Sequence, residues 1–208
     1  MFYFVKKPKW MRRFYGDCIW EMNTSEKVLY LTFDDGPDPA ETPFVIEQLK
    51  KYNAKATFFC IGENVVDNPG LYNQLIEEGH SVGNHSHSHI DGWKTNNKKY
   101  YSDIATAATV IKSNIFRPPF GHITWNQVKH LKNNEHKLKT ILWNVLSADF
   151  DNNTPKEKCL SNVLDNAKEG SIVLFHDHSV ASQNLRYALP KVLEHFTKKG
   201  FQFAAIKV

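Results

Sequence analysis

The feature that most constrains the fold is a repeating order in which short apolar runs, rich in β-branched and aromatic residues, alternate with helix-like stretches. The runs fall at 28–33, 56–61, 81–84, 115–117, 139–145, 171–176 and 202–206. Thr42-Pro43 offers a helix N-cap followed by proline, and Asn68-Pro69 opens a second helix that Gly79 can close. Tyr100, Ile104, Ala107, Ala108 and Ile111 recur at helical spacing. A shorter helix follows at Trp125, Val128 and Leu131, with Trp125 read as helix packing. Thr154-Pro155-Lys156-Glu157 has the form of a capping box, and a last helix containing Pro190 covers 184–199. Hairpin signals are missing, so the order predicts seven parallel strands covered by helices.

A polar cluster follows strand after strand: Asp34-Asp35, 85–89, 117–121, 144–150 and 176–178. A closed barrel gathers strand C-termini into one mouth, whereas an open doubly wound sheet spreads them apart. Convergence therefore predicts an α/β single-domain barrel, with the strand C-termini forming the active-site mouth. Residues 28–208 make up that domain, and residues 1–27 are a basic and aromatic lead-in packed on or beside it.

No apolar run is long enough to span a membrane. The N-terminus lacks an apolar h-region and a cleavage site, so the expected location is cytoplasmic. Lys6, Lys7, Lys9, Arg12 and Arg13 are interleaved with aromatic residues. That pattern suits either packing on the domain or peripheral contact with an anionic surface. Nucleic-acid and phosphate-loop motifs are lacking. Cys18, Cys60 and Cys159 are odd in number and widely spaced, which argues against structural disulfides and a thiolate zinc site. A monomer is expected.

Two motifs carry most of the chemistry. The strand at 28–33 ends in Asp34-Asp35-Gly36-Pro37, and side chains alternate along a strand, so the two carboxylates are expected to face different environments. In His85-Ser86-His87-Ser88-His89 a helical turn would bring His85 and His89 onto one face, a divalent-metal pair that a carboxylate completes. Arg117-Pro118-Pro119-Phe120-Gly121 forms a stiff loop able to aim backbone N–H groups at an oxyanion while Arg117 holds a carboxylate. His176 ends another strand and is a candidate general acid, which Asp149 can orient; Asp149 can equally pair with Arg117.

Taken in order, Thr32-Phe33-Asp34-Asp35-Gly36-Pro37, His85-Ser86-x-x-His89, Arg117-Pro118-Pro119-Phe120-Gly121, Asp149-Phe150 and Leu174-Phe175-His176 resemble the five motifs of the polysaccharide deacetylase family. This is the NodB-homology domain of carbohydrate esterase family 4, and the likeness runs from about residue 28 to 208. It implies a distorted (β/α)7 barrel that hydrolyses the N-acetyl amide of amino sugars in a peptidoglycan- or chitin-like glycan or oligosaccharide. It further implies one divalent metal, most commonly zinc with cobalt, nickel or manganese as substitutes, held by Asp35, His85 and His89. Asp34 would be the general base, oriented by Arg117, and the Phe120 backbone N–H an oxyanion donor. His176 would protonate the departing amine, with Asp149 serving it or Arg117. Pro119, Phe120, Phe150 and Leu174 are the expected substrate contacts, and Trp93, which follows the His85–His89 motif, either stacks on a sugar face or plugs the barrel rim.

Two departures bear on the groove. The fourth motif reads Leu146-Ser147-Ala148-Asp149-Phe150, with Leu146 where the family usually has its first Asp and Phe150 where it has Trp. A deacylase or deformylase of a small or lipid-linked amino sugar, which the expected lack of a signal peptide supports, is an alternative reading, and a silent carbohydrate-binding domain is a third.

Overall fold

The computed structural model describes residues 5, 15–133 and 137–208, so most of the basic and aromatic N-terminal run lies outside the described residues. Eight strands are found among the described residues: β1 (Val28–Asp34), β2 (Thr57–Cys60), β3 (Ser81–Asn84), β4 (Ile115–Phe116), β5 (Lys139–Thr140), β6 (Val145–Leu146), β7 (Ile172–His176) and β8 (Gln202–Phe203). Seven helices accompany them: α1 (Glu41–Lys51), α2 (Gly62–Asp67), α3 (Pro69–Glu77), α4 (Asn97–Val110), α5 (Trp125–Asn133), α6 (Lys156–Leu164) and α7 (Ser182–Lys198).

All the strand pairings are parallel, in the order β5-β4-β3-β2-β1-β7-β6, and β8 joins only the first residues of β1. This is the distorted seven-strand barrel expected, left open between β5 and β6. Chain preceding β1 bridges the seam. Ile19 pairs with Ile141, Glu21 pairs with Ser171, and Leu146 N–H donates to Val5 O.

Alternation along the strands builds two apolar layers. Leu29, Leu31 and Phe33 of β1 point outward with Phe58, Val173 and Phe175 to meet Val45, Leu49, Leu185 and Leu189 of the helices. Phe33 stacks between Phe58 and Phe175 at 5.0 and 6.0 Å. Burying each such ring contributes roughly 1.5–3 kcal/mol. Phe59, Phe116, Leu146 and Leu174 fill the interior instead. On that interior face β1 carries Thr32 and Asp34, so an apolar outer layer sets the register that points a carboxylate into the barrel.

Several expected boundaries moved. The run at 139–145 is two strands, because the carbonyls of Ile141 and Leu142 turn inward to accept from Arg117 Nε and Nη2. α1 starts at Glu41 and is capped by Asp38 Oδ1, which accepts from the Ala40 and Glu41 amides. α6 begins after Pro155 without a side-chain cap. α7 starts at Ser182, with Pro190 inside it. Trp125 is not packing: it is exposed, with Lys129 Nζ 3.5 Å from its ring centroid. All three cysteines are buried and free, and burial pushes the Cys18 thiol up to about 12, so none is a thiolate near neutrality. Among the described residues no helix is long and apolar enough to cross a membrane.

Candidate active site

β1 delivers Asp34 to the mouth in register with His176 of β7. Asp34 Oδ1 accepts from Arg117 Nη1 at 2.7 Å, and the same nitrogen donates to Thr32 Oγ1 at 2.8 Å. Arg117 is fully buried, with its guanidinium carbon 4.0 Å from the Phe59 ring centroid. Its fork is thus shared among one carboxylate, one hydroxyl and two carbonyls. A buried pair of this kind contributes less to stability than to geometry, since desolvation offsets most of the attraction.

Strict alternation would send Asp35 outward beside Phe33. Asp35 instead takes a left-handed backbone conformation (φ 80°), which returns its side chain to the mouth. Both carboxylates then approach one imidazole: His85 Nε2 lies 3.4 Å from Asp35 Oδ1 and 3.8 Å from Asp34 Oδ2. The expectation of opposite facings is therefore wrong. What separates the two acids is their partners, Arg117 for Asp34 and the histidines for Asp35.

His85 and His89 meet without a helical turn. The segment after β3 is a loop with left-handed Ser86 (φ 63°) and His89 (φ 53°). His85 Nδ1 lies 2.7 Å from Arg117 O, a contact that places its proton on Nδ1 and leaves the Nε2 lone pair facing Asp35. His89 Nε2 is 3.2 Å from the same Asp35 oxygen.

Together the three offer donor atoms within 4.8 Å of one another. Asp35 Oδ1 is buried without a hydrogen-bond donor, so lone pairs converge on lone pairs. The edges of a tetrahedral zinc site with bonds of about 2.0–2.2 Å are about 3.3–3.6 Å, close to these separations. The donor set fits a divalent cation.

Across the mouth, Asp149 holds His176 twice: its Oδ2 accepts from the His176 backbone N–H at 2.7 Å, and its Oδ1 lies 2.8 Å from Nδ1. Asp149 thus attaches to His176, while the Arg117 donors go to Asp34, Thr32 and the carbonyls of Ile141 and Leu142. Burial lowers the His176 pKa, yet Asp149, with Asp35 and Asp34 beyond, raises it further, to about 9. Phe150 edges the His176 ring at 5.2 Å. Phe120, exposed and left-handed (φ 61°), edges His89 at 4.7 Å, and Pro119 is buried beneath it. Leu174 points into the interior two residues below His176 and is 2% exposed, so it forms floor rather than wall. Trp93 is exposed at the rim.

Sequence reading missed Asp177, Ser147 and Thr32. Asp177 lies buried behind the acid turn; its Oδ1 accepts from Gly36 N–H at 3.2 Å, and its Oδ2 accepts from Thr42 Oγ1 at 2.6 Å. Burial raises the Asp177 carboxyl well above the ordinary range, and the Thr42 bond offsets only part of this. Ser147 Oγ donates to Asp149 Oδ1 at 2.9 Å. Alternation after His176 was the one available signal for Asp177.

A half-open parallel barrel with an Asp-His-His cluster beside an arginine-held carboxylate defines a metal-hydrolase type of site. The sequence pattern of the polysaccharide deacetylase family matches residues 21–140, and the chain belongs to that family. A peptidoglycan-N-acetylglucosamine deacetylase of Bacillus cereus is 37% identical over 92% of this chain and 92% of its own length. The peptidoglycan-N-acetylglucosamine deacetylase PgdA of Listeria monocytogenes is 35% identical over 88% of the chain, which spans 38% of that longer protein. A crystal structure of a peptidoglycan N-acetylglucosamine deacetylase bound to a naphthalenyl N-oxidanyl-benzamide superposes with a TM-score of 0.86 at 30% identity, covering 96% of this chain and 95% of that one.

Proposed function

We propose that this chain is a zinc-dependent deacetylase acting on N-acetylated amino sugars of a peptidoglycan-like glycan. The observation that carries the reading is the unpaired Asp35 oxygen facing His85 and His89, with Asp34 held separately by Arg117 at the same imidazole. Two imidazoles and one carboxylate suit zinc. Zinc bound there would act as a Lewis acid, polarising the amide carbonyl and a water.

The chain's own residues supply the proton traffic. Asp34 Oδ2, the oxygen not bonded to Arg117, takes a proton from the water that attacks the amide carbon. Arg117 keeps that carboxylate aimed. In the turn Pro119–Gly121 the amides of Gly121 and His122 are committed to Pro118 O and Pro119 O, so the Phe120 N–H is the one this turn offers the developing oxyanion. His176, protonated and steadied by Asp149, donates to the nitrogen as the C–N bond breaks. Acetate and a free amine result.

Two substitutions separate the roles. In Asp34→Asn, bound zinc stays near one equivalent while acetate release from N-acetylglucosamine oligomers drops by about 10²-fold or more. In Asp35→Ala both zinc and activity are lost. Metal content measured beside acetate release checks this, and an Asp34→Asn enzyme with full activity rules out the base assignment.

A further inference from the structure

A carboxylate on α4 grips the loop that carries both histidines. Asp103 Oδ1 accepts from the His87 backbone N–H at 2.7 Å and from the Ser88 N–H at 3.1 Å, and its Oδ2 accepts from Ser88 Oγ at 2.6 Å. His87 and Ser88 lie between His85 and His89, so all three bonds fall inside the stretch that joins the two metal-donor candidates. Amides bonded to a carboxylate make stronger hydrogen bonds than amides bonded to a neutral oxygen.

The first half of the loop is held by other groups. Ser86 N–H donates to Asn84 Oδ1 at 2.8 Å, and the carbonyls of Ser86 and His87 accept from the Gly62 and Glu63 amides at 2.9 and 3.0 Å. Gly62 allows α2 this close, since a Cβ there would lie 2.4 Å from His87 Nδ1. The second half leads into His89, whose left-handed backbone (φ 53°) a non-glycine residue keeps only when its surroundings impose it. Asp103 grips the two residues immediately before it. Its own helix is a firm support: Tyr100, Ile104 and Ala107 are buried, and Asn84 Nδ2 donates to Ile104 O at 3.0 Å.

We propose that Asp103 is a positioning residue for the metal site: by clamping the His87 and Ser88 amides it sets His89 Nε2 beside Asp35 before a cation binds. This role rests on the metal reading above and extends it to a helix that contributes no donor atom. A loop fixed in advance loses less conformational freedom on binding, so the clamp raises metal affinity and takes no part in proton transfer.

The test is zinc affinity, measured by competition with a chromophoric chelator on the stripped, folded chain. Asp103→Ala is expected to weaken zinc binding roughly tenfold or more. Asparagine keeps one oxygen for both amides, so Asp103→Asn should recover most of the affinity. Ser88→Ala gives up only the hydroxyl contact and should cost less than Asp103→Ala. Unchanged affinity in Asp103→Ala overturns the role. So does an Asp103→Asn loss as large as that of Asp103→Ala, because charge and not the clamp would then be responsible. Amide exchange on the stripped, unaltered chain frees the test from the folding of any variant. The His87 and Ser88 amides should exchange at least about tenfold more slowly than in an unstructured peptide, and unprotected amides overturn the clamp. If those amides are protected while the unaltered chain takes up no zinc, the clamp on the loop stands and the zinc reading falls.

Discussion

His176 owes its position to one residue. Asp149 grips both its backbone and its ring, and Ser147 steadies the carboxylate in turn. A general acid works only while protonated, so activity should decline as pH rises through the His176 pKa, which the neighbouring carboxylates raise to about 9. A cation at Asp35 acts in the opposite sense and draws that limb down. In Asp149→Asn the carboxylate charge is gone and burial dominates. The alkaline limb of kcat/KM is then expected to move acidward by more than about one unit relative to the unaltered enzyme. A pH–rate series on both proteins with the same metal loaded checks it; coincident limbs would remove Asp149 from this role. The residue types were legible because each ended a strand. Which partner Asp149 serves was not, since Arg117 and His176 lie 32 and 27 positions away on opposite sides in sequence and only packing decides.

At the level of elements, the strand-end loops carry the strain. Asp35, Ser86, His89, Phe120 and Ala148 are non-glycine residues in the left-handed region, and all lie in loops at the mouth. Each costs roughly 1–2 kcal/mol relative to ordinary backbone. That cluster is why two local inferences failed. Side-chain alternation stops at the end of β1, and residues 85–89 form no helical turn, because both segments reach the candidate metal site by reversing their backbone. The β1–α1 turn is held in its reversed form from behind by Asp177. A Cβ on Gly36 would lie 2.2 Å from Asp177 Oδ2. Gly36→Ala is therefore expected to destabilise the fold by about 2–3 kcal/mol in urea unfolding. In the Gly36→Ala, Asp177→Ala double variant the alanine should add under about 1 kcal/mol to the cost of Asp177→Ala alone, because the clash has gone. Strictly additive losses would mean that the two residues do not meet.

Across the whole molecule, an outer apolar layer of Phe33, Phe58 and Phe175 fixes strand register, and register is what brings Asp34 level with His176. This was the most legible level, because alternating apolar runs and helix ends leave few ways to cover a parallel sheet. The gap between β5 and β6 was not legible. Between those strands Ile141 and Leu142 give their carbonyls to Arg117, and chain preceding β1 pairs with Ile141 and Leu146, partners that lie far away in sequence. Site and fold are thus coupled through a single buried guanidinium. On the proposed function, this framework makes Asp35, His85 and His89 a working zinc centre for amide hydrolysis. Acetate release from N-acetylglucosamine oligomers, followed as the chelator-stripped chain is titrated with zinc, tests it most directly. Activity should be absent in the stripped protein and reach a plateau at one equivalent. Acetate release that persists after exhaustive stripping would contradict the account.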